Sequence, residues 1–318
     1  MAKRALTFPG QGSQAVGMGV ALAGVYPAAR AVFAEVDEAL GQPLYRLMAD
    51  GPEDDLRLTE NAQPALMAVS MAVMRVLESE GVMLREAADY VAGHSLGEYS
   101  ALCAAGSFNI GDAARLLRLR GQAMQQAVPV GVGAMAALLG LDLDVIEQVV
   151  REAAQDEVVE IANDNAPSQV VISGHKGAVE RAASIAKERG AKRAVMLPVS
   201  APFHCSLMAP AAEMMRGALA AVKIVPPEVP VVANFIAAPI SDPAEIRRRL
   251  VEQVTGRVRW RESILWMTGE AGVTELVEIG AGKVLTGLAR RVVGEDRVRA
   301  VGAPDDVAAF LGALRAQN

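Results

Sequence analysis

Cysteine, histidine and aromatic residues are scarce in this sequence, and no apolar run is long. Cys103 and Cys205 are the only cysteines. Two cannot build a disulfide framework, and neither stands in a metal-ligand spacing, so a reducing compartment and a site without metal are expected. No uninterrupted apolar stretch approaches the ~20 residues of a membrane span. The basic pair Lys3-Arg4 is followed by no apolar signal core. These absences predict a cytoplasmic protein that does not enter a membrane. Aromatics make up only 4% of the 318 residues, so Ala, Val, Leu and Met must build the core. A net charge of −6 argues against generic nucleic-acid or membrane-surface binding.

What is present suits an enzyme. Hydrophobic residues at 52% against 21% charged allow a large core, in one big domain with a smaller companion. Ala5 to Phe8 reads as a short buried strand closed by Pro9-Gly10-Gln11-Gly12, and an apolar helical run covers Leu66 to Leu77. Tyr90-Val91-Ala92 is a second strand, followed by a helix that stops at Gly106 and another from Gly111 or Asp112 to about Ala127. From Val128 to Pro198 the rhythm changes. Strands at Met135–Leu141, Val158–Ala162, Val170–Ser173 and Ala194–Val199 enclose helices at Asp144–Ala154 and Ala178–Glu188. That order, βαββαβ, is the split pattern of a ferredoxin-like domain. The flanking pieces alternate strand and helix as a parallel sheet requires, with late strands at Val231–Asn234, Glu275–Ile279 and Val298–Val301. The expected architecture is α/β: an α/β-hydrolase-like domain (1–127 and 199–318) with a parallel sheet and an inserted ferredoxin-like domain (128–198).

Gly93-His94-Ser95-Leu96-Gly97 has the form of a nucleophile elbow, with Ser95 on a tight strand-to-helix turn. The five-residue pattern alone also fits an ordinary βα turn; the strand before it and the helix after it favour the elbow. A helix N-terminus adds free N–H groups for a developing oxyanion. A serine nucleophile needs a base, and the chain has three histidines. His94 adjoins Ser95 and reads as a packing or hydrogen-bonding residue. His175 follows a Ser-Gly turn and reads as a solvated surface residue. By elimination His204, in a non-helical segment that opens the next helix, is the candidate base.

The helix carrying Arg115, Arg118 and Arg120 is more informative. Ala113, Leu116, Leu117 and Met124 define an apolar stripe that contains Arg120, with Arg115 and Arg118 opposite. A guanidinium cannot lose its charge, so in a core it needs an anion: a structural carboxylate or a carboxylate of the substrate. Gln253 presents the same problem on a helix opened by Asp242 and Pro243, sharing a face with Ile246 and Leu250. A buried amide must be bonded, to backbone or to a site group such as His204. The glycine turns at Gly10 and Gly280 complete neither a phosphate-binding loop nor a dinucleotide fingerprint, and the first is placed to lend an N–H to an oxyanion.

In order along the whole chain, Phe8-Pro9-Gly10-Gln11-Gly12-Ser13-Gln14, Gly93-His94-Ser95-Leu96-Gly97-Glu98, Arg120-Gly121, Gln169 to Gly174, Pro198-Val199-Ser200 with His204, and Gly280-x-Gly282-Lys283-Val284-Leu285 resemble the malonyl-CoA:acyl-carrier-protein transacylases. The resemblance implies Ser95 as nucleophile, His204 as acid/base, Gln11 and Leu96 as oxyanion donors, and Arg120 as clamp for the malonyl carboxylate. It also implies that the Gln253 carbonyl orients the imidazole, and that Asn163 and Asn165 line the substrate. It implies no bound cofactor, malonyl-CoA as substrate, holo acyl carrier protein as partner, and a monomer. Phe203, where bacterial relatives often carry a small polar residue, and Ala281, where proline is common, depart from the pattern. Malonyl transfer for polyketide synthesis or a malonate decarboxylase, a serine thioesterase, and a degenerate scaffold are the competing readings. Carrier proteins are acidic, so a local basic patch is expected; the Lys187, Arg189, Lys192, Arg193 cluster reads as a solvated helix end.

Overall fold

The computed structural model describes residues 3–199 and 201–316; Ser200 of the Pro198-Val199-Ser200 motif and the outermost positions of the expected domain bounds lie outside these. Strands β1 (Arg4–Phe8), β2 (Tyr90–Gly93), β7 (Val231–Ala233), β8 (Ala238–Ile240), β9 (Glu275–Ile279) and β10 (Val298–Val301) form one sheet in the order β10-β9-β1-β2-β7-β8. Every neighbouring pair is parallel except β7 and β8, a short antiparallel edge pair. That edge strand is a departure from the all-parallel expectation. β8 holds only Ala238-Pro239-Ile240, too short to carry a period, and its proline sits where an edge tolerates a missing N–H.

Strands β3 (Gly133–Leu139), β4 (Val159–Ala166), β5 (Gln169–His175) and β6 (Arg193–Met196) form a separate antiparallel sheet in the order β4-β5-β3-β6. With helices Leu143–Ala154 and Lys176–Glu188 between strands, this is the split-βαβ arrangement expected from the sequence. The boundaries shift by up to two residues elsewhere and differ most at two strand ends. β6 ends at Met196 rather than Val199, because Pro198 offers no N–H to the ladder. β4 runs on to Ala166 through two register shifts, and so carries Asn163, Asp164 and Asn165, whose polarity had hidden the strand.

The core matches the aromatic-poor composition. The Thr59–Ser79 helix is buried along nearly its whole length through Ala, Leu, Met and Val. It packs against the Ile110–Gln126 helix, which starts where Asn109 accepts the Asp112 N–H at 2.7 Å. Such a cap contributes about 1 kcal/mol. The Asp242 cap predicted from sequence is also present, accepting from the Glu245 N–H at 2.8 Å and opening the Pro243–Thr255 helix that carries Gln253.

Candidate active site

β2 ends at Gly93, and the next helix, Gly97–Ala104, starts four residues later. Both glycines are required by contact. A Cβ on Gly93 would lie 1.8 Å from the Gly97 carbonyl oxygen, and one on Gly97 would lie 2.2 Å from that of Phe8. Between them Ser95 adopts φ 55°, the left-handed region that costs a non-glycine residue about 1–3 kcal/mol. His204 has φ 58°. The two residues selected from sequence as nucleophile and base thus share an unfavourable backbone conformation.

Their side chains meet. The Ser95 hydroxyl lies 2.7 Å from His204 Nε2, and His204 Nδ1 lies 2.9 Å from the Gln253 carbonyl oxygen. A carbonyl can only accept, so Nδ1 carries the proton, and Nε2 is left with a lone pair for the serine O–H. A backbone carbonyl therefore stands where a triad carboxylate would orient the imidazole. His204 is buried. Burial first, and then the charge of Arg120, hold its pKa down to about 3. It is neutral near pH 7 and ready to accept a proton.

Arg120 is 1% exposed and lies inside the site, as its place on the apolar stripe implied. Nη2 donates to Ser95 Oγ at 3.1 Å and to Gln253 Oε1 at 3.0 Å, and Nη1 donates to Gln63 Oε1 at 2.8 Å. All three acceptors are neutral. No carboxylate pairs with Arg120 among the described residues, and its Nε–H has no partner there. Arg115 is exposed, as expected, whereas Arg118 is largely buried beside Glu60 at 3.8 Å. The helix is packed on more than one side, which a single-stripe reading does not foresee.

Gln253 is fully buried and joins the parts. Its Nε2 donates to the Ser95 carbonyl at 3.0 Å and to Glu98 Oε2 at 2.9 Å. Glu98, likewise buried, has its pKa raised to about 7 by desolvation, against the lowering effect of the Asn234 N–H, Gln253 and Arg120. Gln63, Glu98 and Asn234 were not singled out from sequence. Gln63 could have been, since it falls one turn before the apolar run of its helix; Glu98 looks like an ordinary acidic residue in a first turn.

The Leu96 and Gln11 N–H groups have no hydrogen-bond partner among the described residues. Gln11 lines a cavity of about 340 Å³ with Asp54, Arg57, Thr59, Pro198 and Val199. Asn165 Oδ1 accepts from His94 Nε2 at 2.8 Å, and His94 rests edge-on against Trp260 at 5.6 Å. Asn165 thus holds His94, the hydrogen-bonded neighbour expected from sequence. Asn163 is buried where β4 bridges to Val258. His175 is not a free surface residue: it is half-buried, and its Nδ1 accepts the Val158 N–H at 2.9 Å. Among the described residues no cluster fit to hold a metal is found.

A strained serine bonded to a neutral imidazole, with free N–H groups at the elbow, defines a serine-dependent acyl-transfer site. Residues 6–318 match the acyl transferase domain family, and the chain belongs to it. It is 47% identical to a malonyl CoA-acyl carrier protein transacylase of Escherichia coli K12, covering 98% of this chain and 99% of the relative. A Bacillus subtilis protein of the same description is 45% identical over 100% and 99%. An acyl-carrier-protein-S-malonyltransferase structure from Bartonella henselae superposes with a TM-score of 0.96 at 55% identity, covering 98% and 99%.

Proposed function

We propose that this enzyme moves a malonyl group from malonyl-CoA to the phosphopantetheine thiol of acyl carrier protein for fatty acid synthesis. The observation that carries the choice of acyl group is Arg120. A buried guanidinium 3.1 Å from the nucleophile bonds only neutral acceptors, and the carboxyl group that acts on it, Glu98, makes no direct bond to it and has its own pKa raised to about 7. The free carboxylate of a malonyl thioester supplies a directly bonded anion, at the position where the acyl chain must lie once it is attached to Ser95.

The cycle is ping-pong. Ser95 Oγ attacks the thioester carbonyl while His204 Nε2 takes its proton. The oxyanion forms against the N–H groups of Leu96 and Gln11, and CoA leaves as the thiol with the proton from His204. The carrier thiol then enters, gives its proton to His204 and takes the malonyl group, and the serine is reprotonated. Asn163 lines the acyl pocket, and Asn165 contributes through His94. No bound cofactor takes part. The chain is proposed to act as a monomer. The reaction is proposed to take place in the cytoplasm, a reducing compartment that suits the free thiols of Cys103 and Cys205. Residues 128–198 act as an inserted domain over the catalytic domain formed by 1–127 and 199–318.

Incubation with malonyl-CoA, followed by intact-mass measurement and peptide mapping, should place a malonyl adduct on Ser95 that holo carrier protein removes. Release of free malonate as the main product, with or without carrier, would mark a thioesterase instead. A second setting has a specific observation behind it. A solved type II PKS acyl-carrier protein in complex with its malonyl-transacylase matches with a TM-score of 0.93 at 43% identity, covering 98% of this chain and 100% of that one. Comparing transfer rates to fatty-acid and polyketide carriers separates the two settings.

A further inference from the structure

The strain at Ser95 needs a restraint, and the neighbouring strand provides one. Asn234 follows β7 and is fully buried. Its Oδ1 accepts the Ser95 N–H at 2.7 Å, and its Nδ2 donates to the Gly93 carbonyl at 2.7 Å. One carboxamide therefore bridges the peptide groups on both sides of His94, much as a paired strand would. The amide is itself fixed. Glu98 Oε2 accepts the Asn234 N–H at 2.9 Å, and Gln253 Nε2 lies 3.3 Å from Oδ1.

This arrangement assigns the N–H groups of the elbow. The Ser95 N–H is used by Asn234 and is not open to an oxyanion, whereas the Leu96 N–H is unbonded among the described residues. Without the bridge, nothing else bonds the Ser95 N–H, and the turn can relax from φ 55°. The hydroxyl would then move off His204 Nε2, and the Leu96 N–H would turn from its direction.

We infer that Asn234 is a positioning residue for acyl transfer, its carboxamide holding the elbow with the Ser95 hydroxyl on His204 and the Leu96 N–H open. The inference deepens the proposed function and rests on its assignment of Ser95 as the nucleophile. A purely structural amide would affect melting but not the reactivity of Ser95 in protein that is still folded. A positioning amide changes that reactivity and kcat, and leaves KM for malonyl-CoA nearly unaltered, because Arg120 is not displaced.

The test compares full-length wild type, Asn234→Ala and Asn234→Asp by melting temperature, kcat and KM for malonyl-CoA, and the rate at which diisopropyl fluorophosphate labels Ser95. Misplacement by about 1 Å costs roughly 10²-fold, and that loss is expected in both labelling and kcat for Asn234→Ala. Asn234→Asp keeps the acceptor for the Ser95 N–H and loses the donor to Gly93, so an intermediate rate is expected. Folded Asn234→Ala that labels at the wild-type rate overturns the inference. If that variant does not fold, Asn234→Asp decides: slowed labelling with unchanged KM supports the bridge, and wild-type labelling overturns it. Wild type that is labelled by the reagent but takes no malonyl group would refute the proposed function and leave the role of Asn234 standing.

Discussion

Arg120 donates to Ser95 Oγ at 3.1 Å while the same hydroxyl lies 2.7 Å from His204 Nε2. The oxygen that must attack is thus held between the base that deprotonates it and the cation proposed to select its acyl group. One guanidinium acts on both sides of the chemistry. It favours an anionic acyl chain, and it disfavours a protonated His204.

Removing that cation should separate substrates. Truncating one partner of a buried charge pair costs about 2–5 kcal/mol. Arg120→Ala is therefore expected to lose roughly 30- to 4,000-fold in kcat/KM for malonyl-CoA, at 1.4 kcal/mol per decade. Activity toward acetyl-CoA should rise relative to malonyl-CoA. Steady-state rates with both thioesters check this, and an equal loss for the two would make Arg120 structural only.

Gln253→Glu tests the same charge from the other direction. Gln253 Oε1 lies 3.0 Å from Arg120 Nη2, so a carboxylate there supplies the missing anion within the protein. The variant loses the Nε2 donor to the Ser95 carbonyl and Glu98 and should melt lower, but it keeps the backbone carbonyl that orients His204 and should bind malonyl-CoA more weakly. Its KM for malonyl-CoA is expected to rise more than its KM for acetyl-CoA. A malonyl KM equal to that of wild type would show that Arg120 does not hold the carboxylate.

The pH profile of kcat/KM should lack an acid limb near 6.5. His204 is held down to about 3 by burial and by Arg120, so the free enzyme keeps its base neutral well below the ordinary imidazole range. In Arg120→Ala, assayed with acetyl-CoA, the limb should move to higher pH because one cause of the depression is gone. Stability follows the same shift. Unfolded His204 takes up a proton at 6.5 while folded His204 does not, so its contribution is present above 6.5 and is lost as pH falls toward about 3. Glu98 acts oppositely: its raised pKa favours the folded state below 4.5, and this is lost as pH rises through about 7. Stopped-flow acylation against pH and melting against pH give the two readouts.

Gly97→Ala should impair both folding and catalysis. The added methyl would meet the Phe8 carbonyl oxygen at 2.2 Å, a backbone atom that cannot rotate away. Overpacking of this kind costs about 1–3 kcal/mol, or several degrees in Tm, and the shift it forces lies next to Ser95. Gly287→Ala, exposed inside the Val284–Val293 helix with nothing near its Cβ, is the control expected to melt at or slightly above wild type.

Much of the site was legible because each residue broke a local rule. Ser95 stood between glycines at a strand end, Arg120 interrupted an apolar stripe, and Gln253 shared a face with Ile246 and Leu250. His204 emerged from a short list of histidines. Gln63, Glu98 and Asn234 broke no such rule strongly enough. Their importance lies in partners 57, 155 and 139 residues away in the chain, which no local pattern encodes. In the basic cluster near Lys187, expected to be a solvated helix end, Lys187, Arg189, Lys192 and Arg193 are exposed, and Arg189 bonds Gln148 and Glu152 on the adjacent helix.

The sequence by itself determined the longer elements and the chemical inventory: where most strands and the main helices form, where the elbow lies, and which residue types must find partners when buried. Periodicity and steric limits on glycine and proline act over a few residues, so they can be read along the chain. Only the tertiary structure decided how those needs were met. It bonded the imidazole to a backbone carbonyl rather than to a carboxylate, and surrounded Arg120 with neutral acceptors. It also bridged the turn at Ser95 with a carboxamide from another strand. The physical reason is that hydrogen bonding and desolvation depend on distances set by sheet order and helix packing, which bring together residues more than a hundred positions apart.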